Sequence, residues 1–373
     1  MDLKDLREEL DRIDRQIVEL YEQRMGICEE VAEFKRDHLR KVYDKEREDQ
    51  KIAAVKAMTH NEFNERGVGE LFAQIMSMSR KLQYMKIAQR GMSGPVFLPV
   101  KELNKKARVV FQGAEGSYSQ AAMFQYFGED VDCFHVDTFR DAMLVLDEGL
   151  AEYAVLPIEN STAGIVNQIY DLLTEFEHFI VAEQMVKIEH CLMGVPGASI
   201  DDIRTVYSHP QSIYQSDHYL REHAKWDVIA MQNNAFAAQK VAEDKDPAQA
   251  AIASEYAAKF YGLSILEKGV NQSNTNTTRF IIISNHKIFR EDATKISLCF
   301  EVPNESGSLY NILSHFIYNN LNMTKIESRP IEDRNWEYRF FLDFEGNLKD
   351  AAVINALCGL REETRNLRIL GNY

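Results

Sequence analysis

The sequence predicts a multidomain fold: an all-α head, a two-lobed α/β body and a ferredoxin-like βαββαβ tail. Three observations carry this prediction. A heptad stripe runs unbroken through the first 35 or so residues. From Arg108 short β-type runs alternate with short helical ones. After about Lys295 the pattern changes to strand, helix, two strands, helix and strand. The boundaries follow as a head over residues 1–92, a linker over 93–107, a body over 108–286 and a tail over 295–373.

In the head, Leu3, Leu6, Leu10, Ile13, Ile17, Leu20, Arg24, Ile27, Val31 and Phe34 alternate in steps of three and four. This is one helix of roughly five heptads, about 50 Å long. It cannot bury its face alone. Its expected partners are a helix from Asp44 to about Met58 and another from about Glu65 to Arg90, and three helices of such unequal length predict an intertwined dimer, with a tetramer left open. "GMSGPVFLPVKELNKKA", residues 91–107, reads as the linker. In the body, "RVVFQG", "YAVLPIEN", "RTVYS", "WDVIAM" and "QAAIAS" read as strands, each followed by a helix, in a largely parallel sheet. Ligands of such sheets bind beyond the strands' carboxyl ends, beside helix N-termini. In the tail, "KISLCFEVP", "MTKIESRPI", "WEYRFFLDFEG" and "NLRIL" are the strands, and "SGSLYNILSHFIYNN" and "KDAAVINALCGLREE" the helices.

Composition narrows the function. The 373 residues carry 43 Lys+Arg against 58 Asp+Glu, a net charge of −15, which argues against a general nucleic-acid binder. Residues 1–90 hold 18 basic and 19 acidic side chains, and the remainder 25 and 39, so a charge-dense but neutral head precedes an acidic body. No apolar run is long enough to span a membrane, and the charged start "MDLKDLREEL" lacks the apolar core of a signal peptide, so a cytoplasmic location is expected. Five scattered cysteines, with no CxxC or HExxH spacing, predict reduced thiols and no metal site. No cofactor is expected.

The candidate chemistry starts with Arg24 at a seam position of the heptads. Arg24, Cys28, Val31 and Lys35 share one face of the helix, with Arg24 and Lys35 about 16 Å apart. A lone arginine in a seam can snorkel to water. Two cations on an apolar face, with no seam carboxylate to meet them and Ser79 and Gln83 one turn apart on the third helix, suggest an anionic ligand inside the bundle. With "LREELDRID", "ELYEQRMGICEEVAEFK", "VYDKERE" and "SMSRKLQ", the head resembles the all-helical chorismate mutase family. The resemblance implies a pocket of Arg7, Arg24, Lys35, Asp44, Arg47, Glu48, Ser79 and Gln83, with Arg7 reaching into the partner subunit's site. Lys35 and Gln83 are the candidates for the ether oxygen of the substrate. Glu48 holds the ring hydroxyl, or must be protonated if it faces the ether oxygen instead.

The body carries polar clusters at strand ends: "GAEGSYSQAA", "PIENSTAG", "SHPQ" and "NTNTTRF". Singly these are helix caps by default; together they suggest one cleft between two lobes. "PIENSTAGIV", "YSHPQ" and above all "TTRF" make the region resemble the prephenate dehydratase family, which implies a periplasmic-binding-like two-lobed fold. Thr278 is the expected hydrogen-bond donor to the departing hydroxyl. Asn160, Ser161, Thr162, Ser208 and Gln215 are expected to orient the substrate. Arg279 either binds substrate or braces the turn, and His209, followed by Pro210, is a general base or a structural turn residue. "NNAFAAQ" (Asn233 to Gln239) and "GSYS" depart from the family pattern.

The tail, with "ESRP" (Glu327 to Pro330), resembles the ACT domain, a small amino-acid-binding module. The resemblance implies feedback by L-phenylalanine at Gly307, Ser308, Leu309, Glu327, Ser328 and Arg329; Ser308 and Tyr310 depart from the phenylalanine-sensing pattern. The whole therefore resembles the bifunctional chorismate mutase/prephenate dehydratase family, an isomerase and a lyase acting on chorismate and prephenate. A ligand-responsive transcription regulator would need a helix-turn-helix head with a basic face. An amino-acid sensor with decayed sites would not keep the head residues and "TTRF".

Overall fold

The structure, a computed structural model, describes residues 2–88, 97–332 and 334–373. Helices α1 (Leu3–Asp37), α2 (Lys45–Lys56) and α3 (Glu62–Ala88) form the head. Asp2 opens α1 by accepting the N–H groups of Lys4 and Asp5, and Asp5 returns a bond to the Asp2 N–H, so donors that a helix start leaves orphaned are met. Asp44 caps α2 through the Arg47 N–H. The stripe of α1 is left uncovered, with Leu3, Leu20 and Ile27 exposed by 64%, 65% and 62%. The second half of α3 is the reverse case: Met76, Ser77, Ser79, Arg80, Lys81, Gln83 and Tyr84 are all buried.

The expected linker is only partly loop. Its residues 93–96 lie outside the described residues. Beyond them, β1 (Leu98–Val100) pairs in parallel with a strand at Ile288–Arg290, and Leu103 and Ala107 are buried. Pro99 is tolerated because each strand of this two-stranded sheet has a free edge.

The body continues through β2 (Val109–Gln112), α4 (Tyr118–Phe127), β3 (Cys133–Val136), α5 (Phe139–Asp147), β4 (Tyr153–Asn160), β5 (Gly164–Ile165), α6 (Asn167–Glu175), β6 (Phe179–Lys187), β7 (His190–Gly194) and β8 (Thr205–Ser208). It ends with α7 (Pro210–Gln215), α8 (Asp217–Glu222), β9 (Asp227–Ala230), α9 (Asn234–Asp244), β10 (Gln249–Ser254), α10 (Glu255–Tyr261), β11 (Ser264–Lys268), β12 (Thr277–Ser284) and β13 (Ile288–Arg290). Two sheets make two lobes, in the orders β6-β12-β4-β2-β3 and β11-β7-β10-β8-β9. Both are mixed rather than largely parallel: β12 is antiparallel to β4 and β6, and β7 to β10 and β11. The cause is the chain path. It crosses to the second lobe after β6 and returns into β12, so these two strands meet side by side in opposite directions. The first core packs Val109, Phe111, Met123, Tyr153, Phe280 and Ile282; the second packs Met193, Ala238, Val241 and Ala253. Where the lobes touch, Gly116 (φ +81°) is so close that a Cβ would lie 2.7 Å from Ala257 Cα, while Ser254 Oγ donates to its carbonyl at 2.7 Å.

The tail comprises β14 (Lys295–Glu301), α11 (Ser308–Tyr318), β15 (Met323–Pro330), β16 (Tyr338–Glu345), α12 (Ala351–Glu363) and β17 (Arg365–Asn372), with strand order β15-β16-β14-β17. This is the split βαβ topology expected from the sequence. The chain divides into two compact units. One joins the head helices to the tail as far as Ile369; the other spans Phe97–Asp292 and includes Leu370–Tyr373.

Candidate active sites

In the head, α1 and α3 bring Arg24, Ser79 and Gln83 together. Ser79 Oγ donates to the Ile75 carbonyl at 2.7 Å and accepts from Arg24 Nη1, which also lies 3.7 Å from Cys28 Sγ. Gln83 gives its amide to the Ser79 carbonyl at 3.2 Å, and its Oε1 is buried with no partner among the described residues. Lys35 is half-buried and donates to the Val42 carbonyl at 2.7 Å. Burial lowers its pKa, although Asp44, Glu362 and Glu48 pull the other way. Neither Arg24 nor Lys35 is bonded to a carboxylate among the described residues.

The remaining head candidates are dispersed. Arg7 and Arg47 are exposed, and Asp44 is occupied as the α2 cap. The set does not line one cavity. Glu48 faces a space of about 500 Å³ with Tyr43, Ile52, Arg80 and Glu363, whereas Lys35 faces one of about 350 Å³ with Val42, Tyr84 and Glu362. Glu362 borders both, and its carboxylate accepts the Val42 and Tyr43 N–H groups at 2.9 Å each. Arg80, Tyr84, Glu362 and Glu363 were not read as site residues. Arg80 stands in "SMSRKLQ" beside Ser79, and a cation on the most buried stretch of α3 was the available signal.

In the body, β4 and β12 place the polar residues. Their register sets Thr278 opposite Asn160 and Arg279 opposite Glu159. Because side chains alternate along a strand, Thr278 and Arg279 face opposite sides of the sheet. Asn160 Oδ1 accepts from the backbone N–H groups of Thr162 (3.0 Å) and Ala163 (2.8 Å). Two backbone donors admit only an oxygen there, so Nδ2 is fixed toward Thr278 Oγ1 and Asn276 Oδ1, each 2.8 Å away. Thr278 thus accepts from Asn160 and keeps its own hydroxyl proton to give. Ser161 clips the same turn, its Oγ accepting from the Thr277 N–H at 3.0 Å.

The second lobe joins through Gln215, at the end of α7, whose Nε2 donates to Thr162 Oγ1 at 2.9 Å. Gln215 Oε1 in turn faces His190 Nε2 at 3.0 Å, and His190 Nδ1 lies 2.9 Å from the Tyr118 hydroxyl. Burial lowers the His190 pKa, with Gln215 opposing. A neutral ring with its proton on Nε2 donates to Gln215, while the single Tyr118 proton is shared between His190 Nδ1 and the Glu189 carbonyl at 3.0 Å. His190 and Tyr118 were not read as site residues; a histidine opening a buried strand was the signal.

The expectation for Ser208 needs correction, while Arg279 and His209 each stand open between two readings. Ser208 does not face a cleft: it is fully buried, its hydroxyl set between the Ile252 carbonyl (2.7 Å) and Asn234 Oδ1 (3.0 Å). Asn234 also takes the His209 N–H and donates to Ser212, which gives "NNAFAAQ" a part in holding this turn. Arg279 is buried between Glu159 (3.8 Å) and Glu183 (3.6 Å), an arrangement that suits the bracing alternative. His209 caps α7, its Nδ1 accepting from the Gln211 N–H at 3.1 Å. In the tail, Gly307 opens α11 in the left-handed region (φ +82°), followed by Ser308 and Leu309, while Glu327, Ser328 and Arg329 lie on β15 against Phe341, Phe340 and Arg339.

Comparison with known proteins agrees with this layout. The chorismate mutase type II family model matches residues 6–84, and the prephenate dehydratase model residues 109–288. A bifunctional chorismate mutase/prephenate dehydratase from Enterobacter agglomerans is 32% identical over 99% of this chain and 95% of its own length. Among solved structures, the quorum quenching acylase GqqA is 34% identical with a TM-score of 0.65, covering 71% of this chain and 97% of its own. A prephenate dehydratase from Arthrobacter aurescens, solved in complex with L-Phe, is 30% identical with a TM-score of 0.66, covering 71% and 89%. With a mutase match confined to the helical head and a dehydratase match confined to the two-lobed body, the chain belongs to the bifunctional chorismate mutase/prephenate dehydratase family.

Proposed function

We propose that each activity is carried by the residues described above. In the head, Arg24 and the partner subunit's copy of Arg7 grip the two carboxylates of chorismate, and Lys35 and Gln83 stabilise charge on the breaking ether oxygen. Chorismate rearranges within itself, so holding a compact conformer and that charge suffices. The Arg80 pair makes Glu48 an acceptor, which favours its binding the ring hydroxyl. The uncovered stripe of α1 supports a homodimer built on this helix.

In the body, Thr278 donates to the hydroxyl that leaves prephenate. The bond from the ring to the carboxylate breaks and its electron pair enters the ring; the C–O bond breaks, and the departing hydroxide, hydrogen-bonded by Thr278, takes up a proton from solvent, so that carbon dioxide, water and phenylpyruvate result. The polarity that Asn160 imposes on Thr278 is the observation that carries this reading. The acylase named for one structural relative gains no support from Ser208 and His209, since the Ser208 hydroxyl and the His209 Nδ1 are both committed to local bonds.

The tail is read as an ACT domain binding L-phenylalanine and shifting the dehydratase to a less active state; the ligand must favour one state over the other. Its βαββαβ topology and the L-Phe complex of the Arthrobacter aurescens enzyme support this. No described helix is long and apolar enough to cross a membrane, and the five free cysteines suit a reducing cytoplasm. A coupled assay tests the enzyme reading: with chorismate supplied, Thr278→Val should accumulate prephenate and make no phenylpyruvate. Loss of both activities together, or of neither, would reject the assignment.

A further inference from the structure

Arg80 is the most heavily committed charge in the head, and its partners come from two different parts of the sequence. Its guanidinium meets Glu48 Oε2 at 2.5 Å through Nη1, and Glu363 through Nε (2.8 Å) and Nη2 (3.3 Å). Glu363 is the last residue of α12, in the tail. It also lies 3.2 Å from His315 Nε2 on α11, and Gly359 permits that approach, since a Cβ there would sit 2.3 Å from the His315 ring. Tyr84 directs its hydroxyl at Glu362 (3.2 Å) and Glu363 (3.5 Å). Burial opposes the charge on Arg80, yet Glu363 and Glu48 outweigh it and hold its pKa above the ordinary value. Burial likewise opposes the charge on Glu363, and His315 and Arg80 overcome it, keeping that carboxyl below its usual range.

A buried network of this kind stands or falls as a unit, because removing one member leaves the others charged and unpaired. Helix α2 depends on it more than most helices would. Val55 is its one buried residue, so few apolar contacts fix where Glu48 points. The turn ahead of α2 is likewise tied to the tail, through the two N–H groups given to Glu362.

We propose that Glu363 is a positioning residue of the mutase: through Arg80 it fixes the Glu48 carboxylate, so that the C-terminal segment completes the N-terminal active site. Glu362 does the same for the turn that carries Asp44. The proposal rests on the reading of Glu48 as a substrate ligand. Its consequence is that any change at the end of α12 is felt as a change in mutase kinetics.

The test uses the full chain, with both activities measured on each preparation. Glu363→Gln keeps the shape and removes the charge. Mutase kcat/KM should fall at least about fivefold, mainly through KM, with dehydratase activity retained as the sign of a folded protein. Arg80→Lys should act alike, since one ammonium cannot replace a fork that serves two carboxylates. The double variant Glu48→Gln/Glu363→Gln should lose no more than Glu48→Gln alone. Unchanged mutase kinetics in Glu363→Gln, beside a clear loss in Glu48→Gln, would overturn the proposal. So would losses that multiply in the double variant, which would mark Glu363 as merely stabilising. If Glu48→Gln itself has no effect, the reading of Glu48 fails first and takes the proposal with it. Should Glu363→Gln fail to fold, Glu363→Asp keeps the charge but shortens the reach, and must still raise the mutase KM.

Discussion

Replacing Asn160 by Asp tests the hydrogen-bond polarity on which the dehydratase reading turns. Asn160 Nδ2 donates to Thr278 Oγ1 and Asn276 Oδ1 at 2.8 Å each, and Asn276 is 1% exposed. An aspartate oxygen in that place donates nothing. It sets acceptor against acceptor at Asn276, and it draws the one Thr278 proton to itself and away from the substrate. The two lost bonds cost about 1 kcal/mol of stability each. The larger effect is kinetic, because one hydrogen-bond donor aimed at a developing negative charge is worth about 10²- to 10³-fold. Asn160→Asp should therefore lower dehydratase kcat by at least about a hundredfold. Asn160→Ala removes the donor without adding a competing acceptor and should lose less. Steady-state formation of phenylpyruvate from prephenate measures both, with mutase activity and thermal melting on the same samples. If Asn160→Ala proved as damaging as Asn160→Asp, or if Asn160→Asp kept near-parental kcat, Thr278 would not be the directed donor described here.

Two pH predictions follow from lysines in the head, one half-buried and one buried. Lys35 must be protonated to meet an ether oxygen, and burial places its pKa below the ordinary 10.5, so mutase kcat should decline on the alkaline side earlier than a solvated lysine would allow; a pH–rate profile against Lys35→Arg, which keeps its charge, checks this. Lys81 is buried beside Ser77 (3.1 Å) and Ser314 (2.8 Å), and burial lowers its pKa from 10.5 to about 8. Between those values the unfolded chain binds the extra proton, so the Lys81 contribution makes stability rise with pH across that window. The gain is no more than about 3 kcal/mol, and less where water screens the ammonium. Denaturant unfolding of Lys81→Met should lack this rise, and an unchanged slope would show that the lysine is hydrated.

Much of the architecture is legible because the signals are local. The "NTNTTRF" stretch leads into β12 at Thr277, and "PIEN" ends β4 at Asn160, so the residues that meet across the two strands are named by the strand ends themselves. The helix starts at Tyr118, Asn234 and Glu255 follow from Ser117, Asn233 and Ser254 as N-caps. Where a helix was expected to follow "YAVLPIEN", the chain first makes an Asx turn and the short β5, and α6 begins only at Asn167, because Asn160 takes the N–H groups that would open the helix. The direction of β12 was not legible, since whether a strand runs with or against its neighbour depends on a return from another lobe, not on the strand's own residues.

The partners of a buried charge are illegible for a related reason. "GLREE" at the end of α12 reads as a solvated helix terminus, and acidic residues there oppose the helix dipole. That unfavourable placement is a clue in itself: Glu362 and Glu363 gain more from the N–H groups of Val42 and Tyr43 and from Arg80 than they lose at their own helix end. Sequence distance hides this, because Arg80 and Glu363 are 283 residues apart. A residue that breaks a local rule in a position the fold buries therefore points to a distant partner, and here the partner is a helix lined with candidate mutase residues. The same logic governed Arg24, whose seam position made sense only once Ser79 on another helix was beside it.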